Sequence, residues 1–146
     1  MLQLKILGIP KPKQSARFSS VRIGNKNIVR SYQKKEVKDN ERNIQFDIKK
    51  QLPKGFVPYD CALQVEVKFV FPPPSVFSKK KVAQLESGVK FYKTTKPDLT
   101  DNLMKALFDA MEGIIYVNDS RICKVESEKV YGLIPRIEVN ISPIEE

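Results

Sequence analysis

The chain has 146 residues, 41% hydrophobic and 29% charged, the proportions of one globular domain over residues 1–146. It contains no histidine and only Cys61 and Cys123, which excludes Ser-His-Asp and Cys-His triads, His-ligated metals and zinc fingers. The net charge is +9, and all of it lies in residues 1–60, where 14 Lys and Arg face 5 Asp and Glu; the remainder balances at 12 against 12. A basic half of this kind points to a polyanion, and a phosphate backbone is the commonest one.

Leu2–Ile9 (LQLKILGI) reads as a strand that Pro10 and Pro12 end. PKPKQSARFSS is a basic loop, and residues 21–31 are a short hairpin turning at Gly24-Asn25. Ser31–Leu52 has the period of a helix, with Ser31 as N-cap and Val37, Ile44, Ile48 and Leu52 as its apolar stripe. Cys61–Phe71 alternates as a strand up to Pro72, Pro73 and Pro74. Ser78–Ser87 is a short helix closed by Gly88, and Val89–Lys96 is extended. Asp98–Glu112 reads as one helix with Leu103, Ala106, Leu107, Ala110 and Met111 inward and Gly113 closing it. Ile114–Val117, Ile122–Tyr131 and Arg136–Ile141 read as strands, with Asn118-Asp119 as a turn. Both cysteines sit by apolar runs and read as reduced core residues. The fold class is α/β (α+β): a small mixed sheet with helices packed on it, in a single domain. No apolar run approaches the roughly 18 residues of a membrane helix, and MLQLKILGIP lacks the marks of a signal peptide, so no membrane partner is expected.

Acids concentrate in KPDLTDNLMKALFDAMEGIIYVNDSRI. On a helix starting at Asp98, the residues Asp98, Asp101, Lys105 and Asp109 share a face, and a return strand brings Asp119 back toward the helix start. Three aspartates with a lysine suit a hard cation with a phosphate oxygen held beside it. The structural alternative is a set of routine features: Asp98 as N-cap, Asp101–Lys105 as a surface ion pair, Asn118-Asp119 as a turn.

The same run resembles the RusA-type Holliday junction resolvases of bacteria and phages. Asp101-Asn102-Leu103-Met104-Lys105 matches their Asp-Asn-Leu-x-Lys helix start, Asp109-Ala110 the Asp-Ala pair, and Asp119 the second acid of their Asp-Asp turn. LQLKILGIPKPKQSARF resembles their opening strand and basic loop. Two departures stand out: Asp98 and Asp101 are separated by Leu99 and Thr100 where the family has one residue, and Asn118 occupies the first turn position.

The resemblance implies a homodimeric endonuclease, dependent on Mg²⁺ or Mn²⁺, that makes paired cuts in four-way DNA. It would work in the cytoplasm of a bacterium, encoded by the chromosome, a phage or a prophage. The resemblance gives Asp98, Asp101 and Asp119 as metal ligands and Lys105 as a catalytic partner. Expected DNA contacts are Lys11, Lys13, Arg17, Arg22, Lys26, Arg30, Lys93 and Lys96, with Lys90 also leading toward the site. Phe91 and Tyr92 are offered for base stacking, core packing of one being the alternative. Two other readings remain: a nuclease for flaps or single strands, and a nucleic-acid-binding protein without catalysis.

Overall fold

A computed structural model of the chain describes residues 1–13, 17–32 and 35–145. Its centre is a four-stranded sheet in the order β1 (Leu2–Leu7), β6 (Arg136–Pro143), β4 (Leu63–Phe71), β5 (Ile122–Tyr131). β6 lies antiparallel to both neighbours, and β4 and β5 run parallel. A parallel pair needs a long crossover. Here it carries α2 (Lys79–Glu86), a π-helical turn (Leu99–Leu103) and α3 (Met104–Met111). The mixed sheet with helices on it is the expected class.

Alternation fixes which face is covered. Leu63, Val65, Val67, Phe69 and Phe71 of β4 are buried, as are Leu2, Leu4 and Ile6 of β1 and Ile137, Val139 and Ile141 of β6. They meet Ile44 and Ile48 of α1 (Lys35–Gln51) and Leu103, Leu107 and Met111 of the π-turn and α3. The expected stripe of α3 and the Ile44 and Ile48 part of the α1 stripe therefore form the core, with Leu52 packed against it and Val37 outside it. Ile48 has no exposed surface, so Ile48→Val is expected to cost about 0.5–1.5 kcal/mol in urea unfolding. Gln51 closes the β1 edge: the Lys5 N–H donates to its Oε1 at 2.9 Å and its Nε2 donates to the Lys5 carbonyl at 2.7 Å.

β2 (Arg17–Ile23) and β3 (Lys26–Tyr32) form a separate two-stranded sheet. Their turn is at Gly24-Asn25 as expected, with Gly24 at φ 61°, but the hairpin is longer than residues 21–31. Ser31 pairs with Phe18 in its ladder, so it is a strand residue and not the N-cap of α1. The helix starts at Lys35, and the part of the expected helix at residues 33–34, like residues 14–16 of the basic loop, lies outside the described residues.

Three further expectations change. Asp98–Glu112 is not one α-helix: the Leu103 N–H reaches back five residues to the Asp98 carbonyl at 3.0 Å, giving a π-turn before α3. Ile114–Val117 is not a strand. Among the described residues it makes only an isolated bridge with Tyr59, at 2.9 and 3.0 Å, beside the return at Gly113 (φ 81°), where the Gly113 N–H meets the Tyr116 carbonyl at 2.8 Å and the Ile115 N–H that of Met111 at 2.9 Å. Cys61 and Cys123 are exposed, not core: one precedes β4, and the other is the extra residue at a β-bulge opposite the Leu63–Gln64 step.

Candidate active site

The acidic segment reaches its place through backbone anchors. Lys96 and Pro97, joined by a cis peptide, lead into the π-turn. Lys129 of β5 holds this approach, its Nζ donating to the carbonyls of Thr95 at 2.6 Å and Pro97 at 2.7 Å. From the other side the N-terminal loop docks on Asn102: the Lys13 N–H donates to the Asn102 carbonyl at 3.0 Å, and Asn102 Nδ2 donates to the Lys13 carbonyl at 3.3 Å. Leu103 is buried beneath. The π-turn is thus fixed from both flanks and from below, the over-determined setting in which such turns occur at functional sites.

Fixing the backbone leaves the carboxylates open. Asp98 is extended (φ −70°, ψ 136°) and occupies the cap position, yet its side chain makes no capping bond. It lines a cavity of about 500 Å³ with Ile9, Pro10, Pro12, Phe71, Lys96, Pro97 and Asn102. Asp101 lies in the first turn of the segment, where the helix dipole favours an anion. It is exposed, as is Lys105, and among the described residues the routine Asp101–Lys105 ion pair is not formed.

Asp109 has another role. It takes the Lys13 ammonium at 3.0 Å, and Glu41 of α1 approaches the same ammonium at 3.4 Å. Burial pulls the Lys13 pKa down, but the bond and charge of Asp109, with Glu41, outweigh it and hold it above the ordinary 10.5. Lys13, expected on the DNA surface, is therefore engaged within the fold.

Asp119 stands apart from Asp98 and Asp101. Asn118 caps a 3₁₀ turn over Asp119–Arg121, its Oδ1 accepting from the Ser120 N–H at 2.9 Å. The Asp119 N–H donates to Glu112 Oε1 at 3.1 Å, which ties Asp119 to the C-terminal end of α3. Its own carboxylate is exposed. Asp98 and Asp101 mark the opposite end, on the order of 15 Å away along the helix. Among the described residues no three acidic or thiol side chains stand close enough to share one ion.

Between these ends lies Tyr116, which sequence reasoning did not select. It is fully buried, and its hydroxyl donates to the Phe108 carbonyl. Burial first, then the charges of Asp119, Glu112 and Asp109, push its pKa far above the usual phenol value. The phenol stays neutral and serves as a buried strut under the acidic turn. Glu112 and Glu41 were likewise not selected, since their partners lie elsewhere in the chain.

Of the other expected DNA contacts, Lys11 and Lys96 are exposed near the cavity, and Arg22 and Lys26 are exposed at the hairpin. Arg17 and Arg30 occupy β2 and β3. Lys93 is half-buried, its Nζ donating to Thr95 Oγ1 at 2.7 Å and lying 5.2 Å from the Phe71 ring centroid. Phe91 is the aromatic that packs, edge-on to Phe77 at 6.0 Å, whereas Tyr92 is 61% exposed with the Lys90 ammonium 5.7 Å from its ring centroid.

A family model described as "Endodeoxyribonuclease RusA" matches residues 8–142. The chain belongs to the RusA family. The RusA match runs through the basic loop, the π-turn, α3 and the Asp119 turn. Among curated relatives, the crossover junction endodeoxyribonuclease rusA of Lactococcus phage r1t is 32% identical over 106 residues, 72% of each chain. An uncharacterised protein of Bacillus subtilis (strain 168), YqaN, is 34% identical over 92 residues, and that match spans 63% of each chain. Among the described residues no helix is long and apolar enough to cross a membrane.

Proposed function

We propose that this RusA-family chain is a divalent-cation-dependent endodeoxyribonuclease that resolves four-way DNA junctions in recombination and repair. It would act as a homodimer in the cytoplasm of a bacterium, encoded by a chromosome, phage or prophage. The observation that carries the proposal is the pair of open carboxylates, Asp98 and Asp101, held on an anchored π-turn beside the cavity. The crossover junction activity of the phage relative supports the choice of branched DNA.

The donor chemistry fits a hard cation. Carboxylate oxygens without a protein cation are what Mg²⁺ or Mn²⁺ takes, and Mg²⁺ commonly binds through one or two carboxylates plus substrate phosphate. Asp98 and Asp101 would hold it; Asp119 enters as a separate exposed carboxylate at the far end of α3. Such a cation would supply an activated water and neutralise charge on the phosphoryl group. Lys105, in the first turn of α3 just after Asp101, is unpaired among the described residues, so it is free to meet a phosphate oxygen. Lys96 reaches phosphate at the cavity rim. Lys11, Arg22 and Lys26 extend the basic surface along the loop and hairpin, with Arg17, Arg30 and Lys93 as further phosphate contacts. Lys13 contributes by fixing the loop on Asn102 and Asp109.

The separation of Asp119 from the other two acids favours a second reading, a protein that binds branched DNA without cutting it. A labelled immobile four-way junction separates the two on a denaturing gel. Paired symmetric cuts with Mg²⁺ or Mn²⁺, lost in EDTA and absent on linear duplex, are expected. Retarded but uncut junction in both metals would leave the binding reading, and cuts confined to flaps or single strands would reassign the substrate.

A further inference from the structure

The two edges of the main sheet differ. Gln51 covers β1, whereas β5 is covered only at its end, where the Lys93 N–H donates to the Lys129 carbonyl and the Tyr131 N–H to the Phe91 carbonyl, both at 3.0 Å. Those two bonds show which residues aim their backbone outward. Lys129 and Tyr131 do, so by the alternation of a strand Val125 and Ser127 do as well, and among the described residues nothing pairs with them there. Val125 is 39% exposed. Open edges are pairing templates, which folds generally cover, bulge or charge.

The sequence of the edge selects its occupant. If a second copy lies antiparallel with Val125 facing Val125, the two valines form a hydrogen-bonded pair. Lys124 of each copy then lies directly opposite Glu126 of the other, twice by symmetry. Sliding by one pairing step either way sets Lys124 against Lys124 or Glu126 against Glu126; the second slide also brings Lys124 opposite Glu128, but that carboxylate is already held by Lys90 at 2.9 Å and Lys68 at 3.6 Å. A further step toward the C-terminus sets Glu126 against Glu128. Like charges directly opposite are destabilising. One register therefore joins Lys124 and Glu126 to their opposites, and an isologous contact with a copy of itself is what such self-complementarity fits.

We propose that two copies of this chain join through β5, antiparallel, with Val125 on the two-fold axis, extending the four-stranded sheet across the dimer. This rests on the two-copy reading above and adds its surface and register. The β-bulge at Cys123 and the segment Phe91–Lys93 bound the paired stretch, so the contact is short and closed at both ends.

The test is a cysteine cross-link in full-length protein with Cys61→Ser and Cys123→Ser. Facing residues of a hydrogen-bonded antiparallel pair are about 5.5 Å apart at Cα, within disulfide reach. Val125→Cys is expected to run as a dimer on a non-reducing gel after mild oxidation, while Lys54→Cys, on an exposed loop, stays monomeric. Lys124→Glu is expected to raise the dimer dissociation constant by about tenfold in sedimentation equilibrium, and adding Glu126→Lys to restore it. A Val125→Cys protein that cross-links no faster than Lys54→Cys while the parent sediments as a dimer overturns this interface and leaves the two-copy reading standing. A parent that is monomeric at every concentration overturns both. Neither outcome depends on cleavage, so the nuclease reading is judged separately.

Discussion

Asp101→Asn is expected to slow junction cleavage by about a hundredfold or more, the several kcal/mol that a metal-held reaction draws from its ligands, while the fold stays intact. The second half of this expectation comes from the structure. Asp101 is exposed and forms no ion pair among the described residues, so its charge is not needed to hold the π-turn. The loss of a first-turn anion costs only about 0.3–1 kcal/mol. Single-turnover cleavage with saturating Mg²⁺ beside thermal unfolding of the same preparations checks both halves. An Asp101→Asn protein that cuts at the parental rate removes Asp101 from the chemistry. One that melts many degrees lower makes it a structural residue.

Lys13→Met is expected to do the reverse, acting first on stability. The Lys13 side chain is only 15% exposed and neutralises two carboxylates, Asp109 at 3.0 Å and Glu41 at 3.4 Å. Removing it leaves two acids of different helices facing one another. The cost lies between that of an exposed pair, under about 1 kcal/mol, and a buried one, about 3–5 kcal/mol. About 1–3 kcal/mol in urea unfolding is the expected result. Because the folded pKa of Lys13 is raised, its contribution is complete below the ordinary 10.5 and disappears as pH climbs through the higher folded value. The gap between the parent and the Lys13→Met protein should therefore be full at about pH 7–9 and shrink above about 10.5. A gap that persists undiminished at the highest pH would mean the methylene stem, not the charge, does the stabilising.

These two residues also mark what can be read from the sequence. β4, the core stripe of α1 and the buried face of α3 follow from periodicities of two and about 3.6, at which Val65 and Val67, Ile44 and Ile48, and Leu103 and Leu107 recur. The acidic cluster is visible as a concentration of Asp between Asp98 and Asp119. Its division into two ends is not, because it depends on the Glu112–Asp119 bond and on the return at Gly113, contacts that no periodicity records. The π-turn is hidden for a related reason. A five-residue hydrogen bond has no apolar period of its own, and it is imposed by Lys13 and Lys129 from distant parts of the chain. Ser31 misleads because capping chemistry and a hairpin strand make the same use of serine until the register with Phe18 is known.

The pairing of β1 with β6 has a consequence for synthesis. Leu2 lies beside Ile141 and Leu7 beside Arg136, and β6 is also the antiparallel neighbour of β4. During synthesis β1 thus waits for β6 to be made, and so does one side of β4. At roughly 5–20 residues per second, the nascent chain spends several seconds with an unfinished sheet. The Asp98–Asp101 turn leads into Leu103, which is buried against that sheet, so the turn settles only after β6 has been made, long after its own residues have been joined.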